Sequence, residues 1–516
     1  MSAPATPASP ARAMTLAFVG GGCTMALEMA MARQLAPWFG ASMPVWAALI
    51  AWVLLLLAGG AWLGGRFSLR GGTTRDVGLA LVGVAGSLGA AAFVGPTLLQ
   101  TCSEAMFGHG MTELELVEVP HPAVGALAGL AALVGSAVPL VLLGGIVPVL
   151  VRASVHDADE AGMVAGRIHA AATLGSLGGT LLPAFLAIPL LGVRWTLLVL
   201  AGLCLTASAL AWRRDVPAVA IAGLVTAGAA LPAPHGDALV TVETLYHQAR
   251  VHQRVDGQRE LRIDAGWSTQ SIRAAEGPAR SGSWPLFLVA QALRPGCATA
   301  PKRALVLGLG GGTMARDLSL AFPGVEVTGV ELDLELVELG RRYLDLPAKT
   351  RVVIEDARRF AHHDTGRYDL IFVDTFRDVY IPPHLTTREF FADLARRLAP
   401  GGVLAINLFA WNGDDRIARA LGATVQTALP RVRWLQQPRA ANRVLFADLA
   451  EPRGAGVCAA PATSAQRSIV GRFLPRVQPL PAAEPNTPIF TDDRAPIEHL
   501  THLMIVGGLL GGPEAP

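Results

Sequence analysis

ALVLGLGGGTMARDLSLAFPGVEVTGVELD, residues 304–333, is the stretch on which the fold reading turns. It opens with an unbroken apolar run of the length of a buried parallel strand. Gly308, Gly310, Gly311 and Gly312 then make a turn that starts a helix running to about Ala321, and VEVTGVELD (325–333) reads as a second strand closed by acids. Downstream the pattern repeats: a helix over 334–344, a strand RVVIEDA (351–357), a strand YDLIFVD (368–374), a helix over 387–398 and a strand GGVLAINLF (401–409). Strands alternating with helices predict a parallel, doubly wound, Rossmann-like sheet of the methyltransferase type, whose ligands sit at the carboxyl ends of the strands. Upstream, residues 241–264 alternate apolar and polar around Asp256-Gly257, a hairpin signal, so a small β domain is expected before the main fold.

The four glycines remove side chains where backbone must approach a ligand. Glu331 ends the second strand, where a carboxylate can accept both hydroxyls of a ribose. Asp356 ends the third, placed to accept from an adenine amine, and Asp374 ends the fourth, beside the reacting group. The competing reading is a Rossmann-like domain with incidental acids at solvent-facing strand ends. A P-loop is excluded because its lysine and hydroxyl are missing, and Thr313-Met314-Ala315 leaves no GxGxxG for a dinucleotide.

The rest of the chain has another character. Of its 516 residues 52% are hydrophobic and 16% charged, against about 25% charged in soluble proteins. Apolar runs of membrane-crossing length recur at 14–32, 44–65, 77–101, 122–151, 168–193, 195–212 and 216–234. Pro139 and Pro148 predict a kink or break in the fourth, and Gly59-Gly60 and Gly64-Gly65 suit close helix contact in lipid. Arg66, Arg70 and Arg75 follow the second run, whereas Glu104, Glu113, Glu115 and Glu118 follow the third, which predicts a cytoplasmic N-terminus. Seven crossings would then carry the α/β half outside, away from cytoplasmic adenosyl compounds. Six crossings with a membrane-associated segment at 216–234 keep it inside. This organisation divides the chain into a membrane domain (1–235), a small β part (236–300), a Rossmann-like domain (301–455) and a C-terminal extension (456–516).

Glu28, in the first run, reads either as a functional intramembrane carboxylate or as a group paired with Arg33. The five cysteines show no CxxC or metal-type spacing, so no metal is expected. A net charge of +2 without a basic stripe argues against a nucleic-acid partner.

Taken together, YHQ (246–248), STQS (268–271), GLGGGT, VELD, EDAR, VDTFRDVYIPPHLTTREFF (373–391) and TDDRAP (491–496) resemble the spermidine synthase (polyamine aminopropyltransferase) family, in its bacterial branch fused to membrane helices. The resemblance covers roughly 240–450. It implies decarboxylated S-adenosylmethionine as a co-substrate, no permanently bound cofactor, a small amine acceptor and membrane lipid around the helices, in an inner-membrane protein and, as in many relatives, a homo-oligomer. It implies that Asp374 helps deprotonate and position the attacking amine. By the same resemblance Gln248, Glu331, Asp356 and Ala357 contact the nucleoside, and Gln270 lies at the edge of the site.

This sequence also departs from the family. Thr313 stands at the aspartate of the family's GGGDG loop, Trp284-Pro285 replaces a Tyr-His pair, and the second acid of the loop after Asp374 is displaced to Asp378. Trp284 and Asp378 therefore become candidate substrate contacts. The nucleoside half of the pocket is kept and the cation-binding half is altered. Two alternatives stay open: a methyltransferase using intact S-adenosylmethionine, and a transporter or channel-like protein with a catalytically silent nucleoside or polyamine sensor.

Overall fold

A computed structural model of the chain describes residues 9–39, 43–107, 136–155, 157–212, 238–264, 269–294, 299–376, 380–410, 414–436, 442–449, 463–481 and 486–509. It forms two compact units that divide at Gly236 and Asp237.

In the first unit the apolar runs are helices: α1 (Pro10–Phe39), α2 (Met43–Ser68), α3 (Thr74–Phe107), α4 (Ala137–Ser154), α5 (Ala161–Leu182) and α6 (Ile188–Trp212). Among the described residues five helical stretches are long and apolar enough to cross a membrane, the last being 55 residues long. That last stretch folds back on itself. Gly179 faces Gly22, whereas the Cys204 thiol lies 3.4 Å from that of Cys23. A straight helix would put residues 179 and 204 roughly 37 Å apart at 1.5 Å per residue. The chain turns at Gly192, whose φ of 76° and ψ of 170° are not helical. Pro148 falls inside α4. Of the paired glycines only one of each pair makes a close contact: a Cβ on Gly60 would lie 2.2 Å from the Val141 carbonyl and one on Gly64 2.6 Å from Gly145, while Gly59 and Gly65 face open space. Glu28 is buried in α1. Residues 122–135 of the run expected at 122–151, and the whole run at 216–234, lie outside the described residues.

The second unit begins with a four-stranded meander, β1 (Ala238–Glu243), β2 (Gln248–Gln253), β3 (Arg259–Ile263) and β4 (Thr269–Arg273), in sequential order. Asp256 and Gly257 turn β2 into β3 as expected, with Gly257 at φ 82°. The main sheet contains β5 (Arg303–Leu307), β6 (Glu326–Glu331), β7 (Arg351–Ile354), β8 (Tyr368–Val373), β9 (Leu398–Phe409), β10 (Arg431–Gln436), β11 (Asn442–Asp448) and β12 (Gln478–Pro479). Its order is β12-β10-β11-β9-β8-β5-β6-β7. The five strands β5 to β9 are parallel, whereas β10, β11 and β12 join antiparallel.

Side-chain alternation explains the two covered faces. Leu305, Leu307, Ile371 and Val373 enter one apolar cluster, and Ala304, Val306, Leu370 and Phe372 enter the other. The helices that supply these layers include α7 (Thr313–Ala321), α8 (Leu334–Tyr343), α9 (Ala357–His363), α10 (Arg388–Arg397), α11 (Arg416–Gln426), α12 (Ser464–Phe473) and α13 (Ile497–Leu509). Four begin on side-chain caps at strand or loop ends: Asp333 for α8, Asp356 for α9, Thr387 for α10 and Thr463 for α12. From β5 the chain first lays down β6 and β7 on one side and then β8 on the other. The strand order therefore reverses between β5 and β8, where a crevice opens in this topology.

Candidate functional site at the strand ends

The glycine turn after β5 is built around two contacts. Gly308, at φ 82°, donates its N–H to the Val330 carbonyl, and a Cβ added there would lie 2.2 Å from the carbonyl oxygen of Asp374. Only a residue without a side chain lets the ends of β5 and β8 meet. Gly310, at φ 53°, donates its N–H to Glu331 Oε2 at 2.7 Å. The other oxygen of Glu331 accepts from the amides of Leu332 (2.8 Å) and Asp333 (3.1 Å). Burial pushes the Glu331 carboxyl up, and these three amides together with His247 pull it back toward the ionised form. Each carboxylate oxygen has two lone pairs; the three amides take three of the four, which leaves one, on Oε2, for a ribose hydroxyl, where the sequence reading had both hydroxyls accepted.

Asp374 follows β8 and is only partly exposed. Its Oδ1 accepts from Asn407 Nδ2 at 2.9 Å, and Asn407 Oδ1 in turn accepts from Asn442 Nδ2 at 3.1 Å. Burial raises the carboxyl to about 6, with the Asn407 hydrogen bond opposing the rise. A carboxyl group at about 6 is well matched to proton exchange near neutrality.

Asp356 caps α9. Its Oδ1 accepts from the amides of Arg358 (2.9 Å) and Arg359 (3.1 Å), and its Oδ2 lies 3.1 Å from His384 Nε2. Ala357 is the buried first residue of that helix, where amides have no intrahelical acceptor.

The β meander contributes from the other side. Ser271 Oγ accepts from the Gly311 amide at 2.8 Å, and the Gln270 carbonyl lies 3.5 Å from where a Gly310 Cβ would be. The turn between β1 and β2 is tied to the cap of α8 by Thr244 Oγ1, which donates to Asp333 Oδ2 at 2.5 Å. His247 and Asp264 pair at 3.0 Å behind this turn. Asp333 is raised to about 6, by burial first, then by its bond and charge contact with Glu335.

Several residues sit differently from the sequence expectation. Trp284 is 5% exposed within the core cluster that includes Leu286, Met314 and Leu318, so it packs rather than facing a ligand. Thr313 is also buried; its Oγ1 accepts from the Ile272 amide at 2.6 Å and donates to the Ile272 carbonyl at 3.0 Å. Position 313 therefore faces β4. Gln248 uses its side-chain amide on Glu243 (2.5 Å) and Arg250. His362 and His363, in the last turn of α9, pair with Asp393 and Glu355. Asp378 lies outside the described residues. The structure thus brings Gly308, Gly310, Gly311, Glu331 and Asp374 together, with Asp356 and Ala357 one strand further out. Gly312 closes the turn as the left-handed cap of α7. Asn407 and Asp264 gave no signal as separate residues in the sequence, and His247 only as part of YHQ, because each works through a partner distant along the chain. No group of three or more potential ligands that could hold a metal ion occurs among the described residues.

This fold and its strand-end carboxylates define an α/β domain of methyltransferase type, and residues 304–402 match the family model described as a methyltransferase domain. By sequence the chain is similar to curated polyamine aminopropyltransferases. The chain is 35% identical over 156 residues to the "Probable polyamine aminopropyl transferase" of Bifidobacterium longum, covering 30% of this chain and 35% of that one. It is 31% identical over 306 residues to the polyamine aminopropyltransferase of Mycobacterium tuberculosis, covering 53% and 56%. A solved structure described as a probable spermidine synthase from Corynebacterium glutamicum aligns with TM-score 0.40 and 24% identity, over 50% of this chain and 97% of that one. The matches thus span between a third and just over half of the two curated relatives' own length.

Proposed function

We propose that this protein is a membrane-anchored, spermidine synthase-like transferase that moves an aminopropyl group from decarboxylated S-adenosylmethionine to a small amine. The observation that carries the proposal is the contact between Gly308 and Asp374, with Glu331 held on the same turn by the Gly310 amide. A nucleoside held by Glu331 through its ribose lays its 5′ end along the side-chain-free turn, toward Asp374. Asp356 and Ala357 then meet the base. Gln270 lies at the edge near the acceptor, and Gln248 reaches the nucleoside by exchanging its present amide partners. Gly311 and Gly312 keep the turn free of side chains.

In the transfer step the acceptor's neutral nitrogen attacks the carbon next to the sulfonium. A C–N bond forms, the C–S bond breaks, and sulfur leaves with the electron pair as an uncharged thioether. Asp374 accepts the proton released by the amine and faces the developing positive charge. Its amide donor Asn407 holds the carboxylate plane in place.

The apolar helices support anchoring at the inner membrane, and with the N-terminus placed inside by the arginines, six crossings keep the α/β unit on the cytoplasmic side. Mass spectrometry of products after incubation with both adenosyl donors and a diamine mixture tests the reading. Aminopropylated amine is expected; methylated product alone would replace the proposal by the methyltransferase reading, which the match at 304–402 favours.

A further inference from the structure

The loop after β8 returns to the donor side of the site through Pro382, Pro383 and His384. Its position there is fixed from two directions. On the inside, His384 Nε2 lies 3.1 Å from Asp356 Oδ2. A carboxylate offers only acceptors, so this nitrogen carries the proton. On the outside, Arg358 donates to the His384 carbonyl (3.3 Å), to Thr387 Oγ1 (2.8 Å) and to Asp492 Oδ2 (2.9 Å). Asp492 Oδ1 accepts from Thr387 Oγ1 at 2.7 Å, closing the ring of contacts.

Asp492 belongs to the TDDRAP segment, more than a hundred residues along the chain from Arg358. That segment is firmly seated. Phe490 is fully buried, its carbonyl accepts from the Arg388 amide at 2.9 Å, and the Asp492 amide donates to Glu389 Oε2 at 3.1 Å. Exposed ion pairs of this kind add little to stability. What they fix here is direction: they hold the backbone of residue 384 so that its ring lands on Asp356.

We propose that His384 is a base-discriminating residue of the donor site, and that Arg358 and Asp492 are its positioning residues. With Oδ1 occupied by two helix amides and Oδ2 held by the imidazole N–H, Asp356 is kept in one rotamer. The lone pair left on Oδ2 accepts from a 6-aminopurine and opposes a 6-oxopurine, whose oxygen is also an acceptor. The inference rests on the reading above that Asp356 meets the base.

Isothermal titration of the full chain in detergent, with 5′-methylthioadenosine and its inosine counterpart, tests it. Wild type is expected to prefer the adenine compound by about 100-fold. His384→Ala should reduce that preference by about 10-fold, since a charge-assisted contact is lost. Asp492→Asn should reduce it by about 3- to 5-fold, and His384→Gln, which restores an N–H at the same reach, should stay within about 3-fold of wild type. A purely structural role would lower the melting temperature and leave the preference intact, and that result overturns the inference. If His384→Ala fails to fold, Asp492→Asn and His384→Gln decide the matter by the same ratio. Absence of binding by wild type would overturn the donor-site reading as well, whereas binding with unchanged variant preference overturns only the role of His384.

Discussion

Asn407 on β9 donates its side-chain amide to Asp374 at the end of β8, 2.9 Å away, so the carboxylate that would take the amine's proton is oriented by the neighbouring strand. Because burial holds this carboxyl near 6, the rate of product formation should rise with pH through about 6 as it ionises. Asn407→Leu removes the one contact that lowers it, and the inflection should move to higher pH. Asp374→Asn should cut the rate by at least about 100-fold while nucleoside binding stays within a few-fold. The same variant should be more thermostable at pH 8, by up to about 2–3 kcal/mol, because an ionised group is no longer desolvated. A pH–rate profile that is unchanged in Asn407→Leu would show that the pair does not set the proton affinity of the site.

Glu331→Gln replaces one acceptor oxygen by an NH₂ facing backbone amides that also donate. The clash of donors should cost about 1–3 kcal/mol of stability. Binding of an adenosyl thioether should weaken by at least about 10-fold, measured by titration. Retained affinity would place the ribose elsewhere.

At Gly308 a single methyl group is enough. Alanine would have to hold φ 82° with its Cβ 2.2 Å from the Asp374 carbonyl oxygen, so Gly308→Ala should separate β5 from β8. Loss of nucleoside binding together with a clear drop in melting temperature is expected. Gly324→Ala serves as the control: it also has positive φ, at 94°, but nothing within 4 Å, so it should cost stability alone.

Three buried acids titrate above the ordinary carboxylate range: Asp317 at about 7, Asp333 at about 6 and Asp374 at about 6. For Asp317 the cause is burial, only partly offset by the Ala279 amide and Arg316. A group whose proton affinity is higher folded than unfolded favours the folded state while protonated, and that contribution disappears as pH rises through its folded value. Stability of the α/β unit should therefore decline between about pH 4 and pH 7. Asp317→Asn should flatten that decline by about 2–4 kcal/mol while leaving ligand affinity alone. Melting curves across this range check it, and a parallel decline in the variant would assign the slope to other groups.

In the helical unit adjacent glycines should respond in opposite ways. Gly60→Leu pushes against the Val141 carbonyl and should abolish monodisperse protein in mild detergent, whereas Gly59→Leu, facing open space, should be tolerated. Size-exclusion profiles of the two variants make the comparison. Equal behaviour would remove the α2–α4 contact from the account.

The alternation of strands and helices from 304 to 409 was legible because each strand is short, apolar on both faces and closed by glycine or acid. The order of the meander was only half legible, since Thr244–His247 makes a turn without Gly or Pro. Strands β10 to β12 escaped, lying beyond the repeating pattern and joining antiparallel. Among site residues, Gly308 and Glu331 announce themselves by type and place. The roles of Thr313 and Trp284 depended on which way a buried side chain turns, and neither spacing nor residue type encodes that. His384 and Asp492 were each visible only inside a quoted motif without a stated role, and the partner that gives His384 its place, Asp356, stands 28 positions earlier.

The line from Asn442 through Asn407 to Asp374 crosses three strands, and the ring around Arg358 is closed by Asp492. A fragment trimmed to the matched stretch at 304–402 would keep the carboxylate and lose both of its amide supports, the Thr244 tie and the Asp492 strut. The smallest piece worth expressing for chemistry thus runs from Ala238 to the TDDRAP segment, well over twice the length of the stretch matched at 304–402.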